Sequence, residues 1–197
     1  MLFRSLAGES PLPPYITSRG HSRDRYQTVY ARTPGSVAAP TAGLHLTKEL
    51  LEKIESIGVS IGKVDLVVGL DTFRPVTVEN PADHVMHSER YSVSNETWEA
   101  CQPAERVVAV GTTTVRALES AARGPLTGRT ELFLRRGSEF KIVDSMMTNF
   151  HMPKSTLLMM IDAFIGARWK LLYQEALENQ YRFLSFGDAM LLNRMSN

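Results

Sequence analysis

Apolar positions along this chain fall into two rhythms, and the rhythm changes mark its elements. Short continuous runs read as strands. Ile61 to Val68 carries Val64, Leu66, Val67 and Val68 almost without interruption, the pattern of a strand buried on both faces. Arg106 to Gly111 repeats it with Val107, Val108 and Val110. Phe140, Ile142 and Val143 read as a further buried strand, antiparallel to Thr130 to Leu134 across the Arg135-Arg136-Gly137-Ser138 turn. Tyr26 to Ala31 is β-prone, and Phe183 to Phe186 resembles a late strand. Other stretches space their apolar residues three and four apart. Thr47 caps a helix whose Leu50, Leu51, Ile54 and Ile57 share a face and which Gly58 ends. Ser94 starts a short helix to about Cys101, and Val115 to Arg123 forms another. Ser155 is placed to cap the strongly apolar Thr156 to Ile165, ended by Gly166, before the amphipathic Trp169 to Asn179. Strands alternating with helices predict an α/β layered domain, residues 36–197, with a mostly parallel mixed sheet flanked by helices. Residues 1–35, with Pro11, Pro13 and Pro14, read as an irregular approach.

Polar residues concentrate where strands stop. Asp144, Thr148, Asn149, His151 and Lys154 follow the Phe140–Val143 run within eleven residues and lead to the Ser155 helix start. First-turn N–H groups have no intrahelical partners, so such a junction suits an anion or ligand. The Gly111-Thr112-Thr113-Thr114 turn has the same form and is not a Walker loop, lacking the second Gly and the Lys. Arg116 and Glu119 read as a surface pair on the helix that follows. Gly69 closes a strand ahead of Asp71, Thr72, Phe73 and Arg74, the usual place for ligand contacts in an open α/β fold. His84 and His87, three apart beside Asp83 and Glu89, raise a metal site. No third soft ligand lies nearby, so acid–base or hydrogen-bonding work is preferred and no metal is expected. Arg19, His21, Arg23 and Arg25 form the densest basic cluster, either a solvated loop or a phosphate-contacting arm.

Composition narrows the class without naming a reaction. At 43% apolar and 22% charged, 197 residues can bury a sizeable core. A net charge of +1 neither requires nor excludes nucleic acid, since a local patch decides that. Lone Cys101 allows no internal disulfide and, without an adjacent base, reads as filler. No run reaches membrane-span length and Met1 to Arg4 starts no secretory signal, so a cytoplasmic location without membrane partners is expected.

Several strings carry a resemblance. They are Pro11-Leu12-Pro13-Pro14-Tyr15-Ile16, Arg25-Tyr26-Gln27-Thr28-Val29-Tyr30, Ala38-Ala39-Pro40-Thr41-Ala42-Gly43-Leu44-His45, Thr72-Phe73-Arg74-Pro75-Val76 and His84 to Glu89. Further along come Val110-Gly111-Thr112-Thr113-Thr114-Val115-Arg116, Thr148-Asn149-Phe150-His151 to Leu158, and Gly187-Asp188-Ala189-Met190-Leu191. In that order they resemble the S-adenosylmethionine:tRNA ribosyltransferase-isomerases of queuosine biosynthesis. The resemblance implies a transferase without metal that uses S-adenosylmethionine as ribosyl donor. Its acceptor would be 7-aminomethyl-7-deazaguanine at the wobble position of a tRNA with a GUN anticodon. Epoxyqueuosine would form, with release of adenine and methionine.

Roles follow as expectations of that resemblance. His45 and His151 lead as acid or base, with His84, His87 and Glu89 behind them. Thr112, Thr113, Thr114, Arg116, Asn149, Ser155, Asp71 and Phe73 would line the donor site. Arg19, Arg23, Arg25, Arg74 and Lys154 would meet tRNA phosphates, and Tyr26 would stack an unpaired base. Two departures from the family pattern stand out. Asp71 replaces a usual glycine in Gly69-Leu70-Asp71-Thr72-Phe73. Family members also carry a large segment with an inserted β-barrel before Pro11, of which Met1 to Glu9 resemble only the tail. A bare sheet edge is then expected, to be met by self-association or a separate polypeptide. The alternative is a non-catalytic tRNA-binding or oligomerising remnant of the family.

Overall fold

A computed structural model describes residues 16, 26–31, 36, 39–69, 76, 78, 80 and 83–195. A 3-10 turn, Thr41–His45, comes first, then α1 (Lys48–Ser56), β1 (Val64–Val67), β2 (Glu89–Val93) and α2 (Asn95–Cys101). There follow β3 (Val108–Val110), α3 (Thr112–Ala121), β4 (Thr127–Thr130), β5 (Ser145–Asn149), α4 (Thr156–Ile165), α5 (Arg168–Glu178) and β6 (Ala189–Asn193). Local chemistry sets the helix boundaries. Thr47, Ser94 and Ser155 each accept the N–H three residues on, and Gly58 and Gly166 take positive φ just past α1 and α4.

The strands form two three-stranded sheets, β1–β2–β4 and β3–β5–β6. The expected α/β layering is present, but the expectation of a mostly parallel sheet is corrected. Among the described residues only β3 and β5 run parallel, with Val110 opposite Met147, while β1–β2, β2–β4 and β5–β6 are antiparallel. The apolar run that suggested a parallel centre is buried at Leu66 and Val68 but only partly at Val64 and Val67. One face of β1 is therefore open, as antiparallel sheets allow.

Helix α3 touches both sheets and is buried along most of its length. The core gathers around it, with Ala109, Val115, Ala117, Val143, Met146 and Ile161 fully buried and Phe140 edge-on to Phe164 at 4.9 Å. Arg116 and Glu119 thus cannot be the surface pair their spacing suggested. Arg116 donates to Glu89 of β2. Glu119 accepts the backbone N–H groups of Lys141, Ile142 and Val143.

That clamp also explains a second correction. Phe140 and Val143 are buried, but the segment between them is not a strand, because a side chain rather than a neighbouring strand takes its backbone donors. The strand lies five residues later, at Ser145–Asn149. Tyr26 to Ala31 and Phe183 to Phe186 are turns and bends instead of strands, with Gly187 N–H closing onto the Leu184 carbonyl at 3.0 Å. The last strand is Ala189–Asn193.

Candidate functional site

Because β3 and β5 are parallel, the turns at their carboxyl ends share one edge of the sheet. Gly111 links them. Its N–H donates to the Met147 carbonyl at 2.8 Å, and its φ of 90° is the left-handed backbone that starts α3 without a side-chain cap. Thr112 is buried beside it, and the Thr114 hydroxyl donates back to the Val110 carbonyl at 2.7 Å.

Asn149, the last residue of β5, gathers two further segments. Its Oδ1 accepts the Thr41 hydroxyl at 3.0 Å, and its amide donates to the Asp188 carbonyl at 3.4 Å. These bonds bring the 3-10 turn with exposed His45, and the turn before β6, to the end of β5. Gly43 allows the turn to sit close against Tyr30, whose hydroxyl a Cβ there would meet at 1.9 Å. The Asp188 carboxyl is held below the usual carboxylate range, chiefly by the Arg182 N–H and guanidinium, with a smaller contribution from the His45 imidazole nearby.

His151 stands two residues beyond β5. Its Nε2 pairs with the Thr148 hydroxyl at 2.8 Å, and its backbone N–H donates to the Tyr173 hydroxyl at 2.9 Å. Burial pushes the Tyr173 phenol up to about 12 and lowers the His151 imidazole to about 4, so His151 is neutral at pH 7. Its folded-state value lies below the ordinary 6.5, so the unfolded chain binds the extra proton first as the pH falls. Stability should be complete above pH 6.5 and fall between there and pH 4. Thermal melts across that window should show the slope, and His151→Gln should flatten it.

The turn that starts at His151 ends at a second cluster. Lys154 is exposed, with a left-handed φ of 55°, and its carbonyl accepts the Val76 N–H at 2.8 Å. The hydroxyl of Ser155 accepts the Leu158 N–H. Thr156 and Leu157 then line a cleft together with His84, His87, Glu89 and Arg116. His84 is half-buried, edge-on to Phe133 at 5.5 Å, and His87 is exposed. Glu89 and Arg116 form a buried ion pair, and Glu89 also accepts the Gly69 N–H at 3.3 Å. Expected as an acid or base, Glu89 instead anchors Arg116. Two of its acceptor sites are already used.

Other expectations lie elsewhere. Tyr26 is buried edge-on to Phe186 at 5.6 Å, so its ring belongs to the packing and is not the open stacking face expected of it. Arg19, Arg23, Arg25, Asp71, Phe73 and Arg74 fall outside the described residues. The thiol of Cys101 is pushed up by burial, which fits a packing role. Among the described residues no three metal-ligating side chains gather, and no helix is long and apolar enough to cross a membrane. Sequence reasoning gave no site role to Thr41, Tyr173 or Asp188. Thr41 and Asp188 lie inside motif strings, whereas nothing in the sequence signals the Tyr173 contact.

The family described as "Queuosine biosynthesis protein" matches residues 3–192. The chain belongs to that family. It is 53% identical over 195 residues to the S-adenosylmethionine:tRNA ribosyltransferase-isomerase of Halothermothrix orenii, covering 94% of this chain and 57% of that protein. Its likeness to the Thermotoga petrophila protein of the same name is 53% over 194 residues, covering 94% and 58%. A solved structure of S-adenosylmethionine tRNA ribosyltransferase from Thermotoga maritima superposes with a TM-score of 0.61 at 45% identity. It covers 76% of this chain and 50% of that one. The chain thus spans somewhat over half the length of these curated relatives.

Proposed function

We propose that the chain provides a ribosyl-transfer site for queuosine biosynthesis. It would take S-adenosylmethionine as ribosyl donor and a tRNA carrying 7-aminomethyl-7-deazaguanine at the wobble position of a GUN anticodon as acceptor. Epoxyqueuosine, adenine and methionine would be the products, with no metal required. One observation carries the reading: His45, His151 and the threonine turn come from distant parts of the chain to the carboxyl edge of the β3–β5 pair.

The chemistry needs a base for the acidic proton beside the sulfonium, and an acid for departing adenine. His151 suits the first role. Its neutral imidazole offers a lone pair and does not repel the sulfonium cation. His45, exposed at the rim beside Asp188, suits the second. Lys154, with the arginines at positions 19, 23, 25 and 74, would meet phosphates of the anticodon loop. The alternative reading is a non-catalytic tRNA-binding or oligomerising remnant of that family, which would hold tRNA without turnover.

Incubation with S-adenosylmethionine labelled in the adenine ring and tRNA bearing the aminomethyl-deazaguanine separates the two. Adenine release that depends on the tRNA is the expected result. Binding of the tRNA without release would establish the remnant reading instead, and formation of S-adenosylhomocysteine would reject ribosyl transfer in favour of methyl transfer.

A further inference from the structure

Arg116 is 6% exposed, and only one of its nitrogens is accounted for. Nη1 donates to Glu89, while Nε and Nη2 are buried without a hydrogen-bond partner among the described residues. These two nitrogens are not a random remainder. They form one edge of the planar guanidinium, with two near-parallel N–H bonds, the geometry that meets a carboxylate in bidentate fashion. Buried donors left unpaired in a folded protein point to a catalytic role or to an absent ligand or water. Arg116 lines the cleft that also holds the start of α4.

We propose that the Nε–Nη2 edge of Arg116 receives the α-carboxylate of the methionyl chain of S-adenosylmethionine in this cleft. The inference rests on the ribosyl-donor reading above and assigns the methionyl end of the donor to Arg116 rather than to the Thr112–Thr114 helix start. Leu132, Leu134, Leu157 and Met160 supply apolar wall for the methylenes next to the sulfur. The Glu89–Arg116 pair carries no net charge, and neither does an α-amino acid head group. Its carboxylate meets the guanidinium while its ammonium lies toward Glu89, so the two dipoles are complementary. The threonine turn, by contrast, already spends the Thr114 hydroxyl on Val110.

Titration calorimetry on the whole chain with two ligands tests this. One is S-adenosylmethionine, the other its decarboxylated analogue, which keeps the sulfonium, ribose and adenine. Loss of a charge-assisted bidentate contact should weaken binding of the analogue on the order of 10- to 100-fold. Arg116→Lys keeps the charge opposite Glu89 but has no fork, and should bring the two affinities together. If that variant fails to fold, the wild-type Arg116 Nε–H resonance still reports. It should shift with S-adenosylmethionine and stay still with the analogue.

Equal wild-type affinities, or an unmoved resonance at saturation, would overturn the placement. Equal affinities with tRNA-dependent adenine release intact would sink the Arg116 assignment alone. Absence of both release and donor binding would sink the ribosyl-donor reading and this inference with it.

Discussion

Replacing His151 by alanine is expected to lower tRNA-dependent adenine release on the order of 1,000-fold, the range of a lost proton-transfer group, with tRNA affinity held within about twofold. The structure separates the ring from its support. The turn is held through the His151 N–H to Tyr173 and through the Ser155 cap, neither of which needs the imidazole. Removing the ring therefore leaves the path of the backbone intact. The Thr148 hydroxyl at Nε2 fixes the ring's orientation, so Thr148→Val should reduce turnover less than His151→Ala. Since the imidazole is held near 4, its loss of function with acid should come well below pH 6.5 in the kcat/KM profile. Single-turnover adenine release across pH and filter binding of tRNA measure both quantities. Unchanged turnover in His151→Ala would remove this residue from the chemistry.

Features that depend on three or four neighbouring residues were legible in the sequence. Caps at Thr47, Ser94 and Ser155, and glycine stops at Gly58 and Gly166, work through bonds that close within one turn. The turn leading to His151 was legible for a related reason, since it lies just before such a cap. Strand β5 was not. Ser145, Thr148 and Asn149 look like a polar turn; pairing with β3 and β6 makes the segment a central strand, and α3 and the 3-10 turn pack against it. Glu119 shows the same limit in a helix. Spacing gives its place relative to Arg116 but not what surrounds α3, and with a sheet on either side each charge finds a different partner. The cleft at Arg116 was half legible. His84, His87, Glu89 and Arg116 were each singled out, but their meeting depends on β2 packing against α3.

Glu119→Ala is expected to give the largest loss of stability of any single substitution outside the apolar core. Glu119 is fully buried. Its carboxylate accepts Lys141 N–H at 2.9 Å and the Ile142 and Val143 N–H groups at 3.1 Å each, and it pairs with Arg123 at 2.5 Å. Alanine would leave three backbone donors without acceptors and a guanidinium without its counter-charge, in a segment that no strand supports. Breaking a buried pair from one side costs about 3–5 kcal/mol, which for a chain of this size lowers Tm by roughly 6–20 °C. Glutamine keeps one acceptor oxygen and should fall between alanine and the native protein. Hydrogen exchange should locate the damage, because amides 141–143 lose their acceptor directly while those of α4 do not. Val143 adjoins Asp144, whose carboxylate accepts the Val107 N–H at 2.9 Å, and that bond aligns β5 with β3. Loosening the clamp therefore reaches the His151 turn through the strand, and Glu119→Ala should lower turnover without changing its pH profile. A Tm within about 2 °C of native would show that the 140–143 segment is held by apolar packing of Phe140 and Val143 alone.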